Sequence, residues 1–197
     1  MIKLINLLLE DNKILIPRRS REERKKNYII ATQRKIQQYI KNGGVGDLNL
    51  SDTPITSLPS NLKVKGDLYL GNTPIKSLPS TLEVGGYLDL HYTPITSLPS
   101  TLKVKGSLDL RNTPIESLPS TLEVGGSLHL QNTPIESLPS NLKVKGGLYL
   151  SNTQIKSLPS TLEVGGNLYL GNTPITKKYS KEQIKQICPG VKGNIIY

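Results

Sequence analysis

The sequence predicts an α+β solenoid, in which short parallel strands stack into a sheet along one face and helices close the two ends. Three observations predict it. From Gly46 the chain repeats every 20 residues without insertion, at Gly46, Gly66, Gly86, Gly106, Gly126, Gly146 and Gly166. Six units are complete, and the seventh departs from the pattern after Ile175. The 197 residues include no Phe and no Trp, so a core must come from Leu, Ile, Val and some Tyr. That composition suits a thin, layered interior in which each unit packs only on its neighbours.

Three segments are expected: residues 1–45 as a basic helical cap, 46–176 as the repeats and 177–197 as a second cap. The opening MIKLINLLLE is expected to form a short helix. Asn6 interrupts its apolar run and Glu10 and Asp11 follow it, so it does not read as a signal peptide. Ser20-Arg21-Glu22-Glu23 has the form of a capping box. A helix should run from there to about Lys41 and stop at Gly43. Ile29, Ile36 and Ile40 share one of its faces, with Tyr39 beside them, and that face is expected to pack near Leu48 and Leu50.

Each repeat follows G-x-L-x-L-x-x-T-P-I-x-S-L-P-S-x-L-x-V-x. L-x-L alternates with period two, the mark of a short strand with one buried face. Both prolines push the residue before them out of the helical region, so the return segment should be extended or polyproline-like. A unit buries six aliphatic residues, in one copy Leu108, Leu110, Ile115, Leu118, Leu122 and Val124. No unit could be stable alone, but stacked units share a continuous core. A closed β-helix is the alternative architecture for the same pattern.

The C-terminal cap follows the same logic. Ser180-Lys181-Glu182-Gln183 is a second capping-box pattern, opening a helix through about Cys188 that Pro189-Gly190 ends. VKGNIIY then matches VKGDLYL of residues 64–70 in residue type, so a last strand is expected at 193–197, with Ile195 in the place of Leu68 and Tyr197 in that of Leu70. Cys188, near Ile184 and Ile187, reads as a buried structural thiol.

The stretch LDLRNTPIESLP resembles the leucine-rich-repeat signature L-x-x-L-x-L-x-x-N-x-L, in its short bacterial form with L-P in the convex segment. The resemblance spans residues 46–176 and implies a parallel sheet on one face of the coil. One departure is systematic: the ladder Asn of the family is replaced by Thr53, Thr73, Thr93, Thr113, Thr133, Thr153 and Thr173, whose hydroxyls should bond the backbone of the neighbouring coil. The whole chain also resembles leucine-rich-repeat proteins encoded by tailed phages and related viruses, with a basic helical start and an ending like VKGNIIY. That likeness implies an architecture and no activity.

Charge is unevenly spread. The net charge is +10, distributed as +7 over residues 1–45, −1 over 46–165 and +4 over 166–197. A single cysteine rules out an internal disulfide framework and a cysteine-rich zinc site. No stretch approaches the ~18 apolar residues of a membrane span. A monomer in a reducing cytoplasm, its own cell's or that of an infected host cell, is the expected setting, with no cofactor and no membrane association.

Only some columns vary between copies. Lys63, Glu83, Lys103, Glu123, Lys143 and Glu163 alternate in sign, and Lys65, Gly85, Lys105, Gly125, Lys145 and Gly165 alternate beside them. With coils ~4.8 Å apart, the first column forms a ladder of opposite charges. A duplicated 40-residue unit gives the same pattern. The interleaved strand positions should face outward, and they are the least repetitive residues of the repeats. They hold both histidines and four of the nine tyrosines.

From them a protein-binding face is expected at Tyr69, Tyr87, Asp89, His91, Asp109, Arg111, His129, Gln131, Tyr149 and Tyr169, since Tyr and Arg are common interface anchors. Neutral drift of exposed positions is the competing explanation. A carboxylate–imidazole pair can form among Asp89, His91, Asp109 and His129, but no nucleophile motif accompanies it. His91 and His129 lie two coils apart, too far to share a metal. No catalytic residue and no metal site is therefore assigned. A second candidate is nucleic-acid binding by the N-terminal cap through Arg18, Arg19, Arg21, Arg24, Lys25 and Lys26. An adaptor-type secreted effector and a structural particle component complete the alternatives.

Overall fold

A computed structural model describes residues 20–197. The N-terminal MIKLINLLLE, together with Arg18 and Arg19, lies outside the described residues. From Gly46 onward the chain winds as a parallel-strand solenoid. Its main sheet has eight two-residue strands, from Leu48–Asn49 to Leu168–Tyr169 with Ile195–Ile196 at the end. Successive strands pair parallel with the register advancing one repeat at a time, Leu48 opposite Leu68 and Leu148 opposite Leu168.

A second parallel sheet was not expected from the sequence. Its six strands are the x-V pairs from Lys63–Val64 to Glu163–Val164. A two-residue run is too short to show a period. Only the stacking creates it, by placing Val64 O within 2.8 Å of Gly85 N and Val84 O within 3.0 Å of Lys105 N. The return segment carries no strand in any of the six complete units, in keeping with its prolines, so the coil is not strand all round.

The six aliphatics assigned to the core are buried in each complete unit. The threonine column is also buried, but its partner is not the neighbouring coil. Each hydroxyl donates to the carbonyl three residues back in its own coil, as Thr53 Oγ1 does to Leu50 O at 2.6 Å and Thr113 Oγ1 to Leu110 O at 2.7 Å. Thr therefore closes the turn after the strand. The residue before each of these threonines has a left-handed backbone, φ 53° to 60°, which explains why that position is Asn or Asp in six of the seven units.

The helix α1, Arg21–Lys41, has both hydrogen bonds of the capping box, between Ser20 and Glu23. Ile36 is buried with the core, and Tyr39 and Ile40 pack against it. The helix reaches beyond the first strand: Ile29, Ile36 and Gln37 line a cavity with Pro54, Leu58 and Pro59 of the first return segment. The helix α2, Lys181–Ile187, has the second capping box, preceded by an unforeseen 3-10 turn, Pro174–Lys177. Ile195 pairs with Leu168 as expected. Tyr197 does not fill the buried place of Leu70: it is 42 % exposed and its hydroxyl donates to Tyr179 O. Among the described residues no helix is long and apolar enough to cross a membrane.

Candidate functional site

The strand face is three columns wide, and the columns do different things. In the first, small polar side chains accept the N–H of the next coil. Asp47 Oδ1 accepts from Asp67 N, Asp67 Oδ1 from Tyr87 N, Ser107 Oγ from Ser127 N, Ser127 Oγ from Gly147 N, and Asn167 Oδ1 from Asn194 N, all at 2.7–3.0 Å. These residues are structural, because strands of two residues leave those N–H groups without a ladder partner. Tyr87 and Gly147 cannot serve this way.

In the middle column, successive coils bring rings into register. His129 and Tyr149 stack at 4.3 Å and 9°, and Tyr149 and Tyr169 at 4.3 Å and 7°. Tyr69 and Tyr87 meet edge to face at 5.8 Å, with the Tyr69 hydroxyl donating to Asp67 Oδ2. Burial lowers the pKa of His129, so its imidazole is neutral near pH 7.

Asp89 and Asp109 occupy the same column but do not project into solvent as expected. They are 6 % and 1 % exposed. Each folds back on its own strand: Asp89 Oδ1 accepts from His91 N and lies 2.6 Å from His91 Nδ1. Asp109 accepts from Arg111 N, from Arg111 Nε at 2.9 Å and from the Tyr87 hydroxyl at 2.9 Å. Burial pushes the Asp109 carboxyl up, but the bonds from Arg111 and Tyr87 outweigh it and hold the group below the usual carboxylate range. Burial and the charge of Asp109 push the Tyr87 phenol well up.

Ligand atoms of Asp89, His91 and Asp109 lie within 4.8 Å of one another, a proximity the sequence reading did not assign to a metal. The surroundings fit an ion already in place. Arg111 bonds both Asp109 oxygens and Tyr87 bonds Oδ2, and the guanidinium supplies the positive charge a cation would bring. A metal would have to displace Arg111. For catalysis, the carboxylate–imidazole pair is His91 with Asp89 of the same coil, while His129 stacks on tyrosine. Cys188 is buried at the far end, its thiol pushed up to about 11 by burial, so it stays protonated near pH 7.

The third column contains Arg111, Gln131 and His91. The His91 ring lies over Gly71, where an added Cβ would meet it at 2.2 Å. Gln131 Oε1 is buried without a donor. Beside this column is a residue the sequence reading passed over. Tyr92 takes the left-handed corner, φ 53°, that is Asp or Asn in every other unit. It is 60 % exposed and meets His91 edge to face at 5.6 Å. The signal was legible as Y-T-P-I in one unit only, but nothing in the sequence marked that position as strained.

At the N-terminal cap, Arg21, Arg24, Lys25 and Lys26 are exposed along α1, and no ion pair joins them to a carboxylate among the described residues.

No family model and no curated protein matches the chain. Among solved structures, the leucine-rich-repeat domain of a Shigella effector aligns over 89 % of this chain and 93 % of its own, at 16 % identity and a TM-score of 0.49.

Proposed function

We propose that the strand face is a protein-recognition surface and that the chain is a non-enzymatic interaction module. One observation carries this reading. Aromatic and charged side chains gather on one open face of a coil whose other surfaces repeat almost unchanged. The stacked His129, Tyr149 and Tyr169 and the Arg111 held by Asp109 are already ordered by internal contacts, which reduces the entropy lost on binding. Such a module acts as an adaptor or as part of a larger particle and needs no cofactor.

The test is affinity capture from a cell lysate, with and without nuclease. Replacing Tyr69, Tyr149 and Tyr169 with Ala should weaken nuclease-resistant protein capture about tenfold or more while far-UV circular dichroism stays unchanged. Full capture by this folded variant would refute the reading. The unpaired cations of α1 support a second one, nucleic-acid binding. In that case capture would vanish with nuclease and fall steeply with salt.

A further inference from the structure

We infer that the corner at Tyr92 seats a cationic side chain, an arginine or lysine of the partner. This deepens the strand-face reading and rests on it. The corner departs from its own repeat in three ways. A tyrosine holds a left-handed backbone that Asp52, Asn72, Asn112, Asn132, Asn152 and Asn172 hold elsewhere. L side chains other than Asn and Asp disfavour that region. Tyr92 also interrupts a ladder of side-chain amides, in which Asn132 donates to Asn112, Asn152 to Asn132 and Asn172 to Asn152. Asn72 lies on the far side of Tyr92, cut off from that ladder. Finally, the ring is largely exposed, so core packing does not explain it. A strained backbone that places an aromatic ring in solvent beside a binding face is the kind of outlier that points to function.

The surroundings select the ligand. His91 supports the Tyr92 ring edge to face, and is itself fixed by Asp89 and by the space that Gly71 leaves. All charged residues of the strand face lie in the first four units: Asp47, Asp67, Asp89 and Asp109 against Arg111. Units five to seven contribute none. Arg111 is committed to Asp109, so the half of the face that carries Tyr92 is acidic within a chain of net charge +10. Asp89 Oδ2 has no donor among the described residues. An open aromatic ring on this acidic half of the face attracts a guanidinium or ammonium group and disfavours an acidic one.

The experiment uses the full chain and three probes, acetyl-Gly-Arg-Gly-amide and its citrulline and glutamate counterparts, titrated by amide chemical-shift mapping. The arginine peptide should give saturable shifts at Tyr92, His91 and Asp89, and citrulline should bind about tenfold more weakly. Tyr92→Asn restores the residue of the other corners. It should abolish those shifts while raising the melting temperature by about 2–4 °C, because strain is relieved and the amide ladder continues. A merely structural tyrosine would not separate the two readouts in this way. Absent shifts, equal binding of citrulline, preference for glutamate, or peptide binding retained by Tyr92→Asn would each overturn the inference. If that happens while the Tyr69, Tyr149 and Tyr169 variant still loses capture, the strand-face reading survives. If that variant also retains capture, both fail.

Discussion

At Asp109, burial and charge act in opposite directions. Desolvation favours the neutral acid, and the bonds from Arg111 and Tyr87 favour the carboxylate and prevail. A carboxyl held below its ordinary pKa in the folded state contributes stability that is complete above the unfolded value of about 3.9. That contribution disappears as pH falls through the lower folded value. Asp109→Asn should therefore cost about 2 kcal/mol at pH 7, since it removes the acceptor of a charged pair. The gap between wild type and variant should close as pH drops below about 4, because only the wild type has this proton to gain. Urea melts at pH 7, 5 and 3 measure it. A gap that stays constant down to pH 3 would mean that the Asp109 carboxyl is not depressed.

In the repeating element, alternation of Lys and Gly has a steric cause that charge patterning alone does not supply. A Cβ on Gly85, Gly125 or Gly165 would meet the carbonyl oxygen of Lys65, Lys105 or Lys145 at 2.0–2.1 Å, closer than real contacts allow. Every second coil must be glycine there, so the structural period is 40 residues. The neighbouring Lys/Glu column adds exposed ion pairs at Lys63–Glu83, 3.6 Å, and Lys143–Glu163, 3.2 Å. Exposed pairs of this kind contribute at most ~1 kcal/mol each. Gly125→Ala should destabilise the chain by about 1–3 kcal/mol through this overpacking. Lys105→Ala, one coil earlier in the same column, should stay within about 0.5 kcal/mol. Guanidinium unfolding of the two variants compares them directly, and equal losses would remove the steric explanation.

For the whole molecule, stability is a sum of units and the interfaces between them, so the 40-residue period makes a prediction about deletion. Removing residues 106–125 stacks Lys143 and Lys145 directly on Lys103 and Lys105, placing a side chain where only glycine fits. Adding Lys145→Gly to that deletion removes the side chain that Lys105 O cannot accommodate, without placing a second Glu against Glu163. It should recover about 1–3 kcal/mol, read as a rise in the denaturation midpoint. No recovery would show that the pattern is a relic of duplication and not a packing requirement. The caps belong to this scale too, since α1 and the α2–strand unit cover apolar coil ends that would otherwise face solvent.

Much of the architecture was legible in the residues: the 20-residue period, the six aliphatics buried per coil, both capping boxes and the final strand opposite Leu168. These are consequences of local propensity and periodicity, which a linear string displays. The string also shows which residues share a column, and so it marked the strand face. It does not show what a side chain reaches from its column. Only the coil-to-coil distance decided that Asp47, Asp67, Ser107 and Ser127 bond the next strand, that Asp89 and Asp109 are buried, and that x-V pairs form a second sheet. Tyr92 makes the same point. Six Asn and Asp residues reveal a left-handed corner once the backbone is seen, and the tyrosine forced into that geometry looks unremarkable until then. Periodicity reports which way a residue faces; its contacts depend on the stacking of coils distant in sequence.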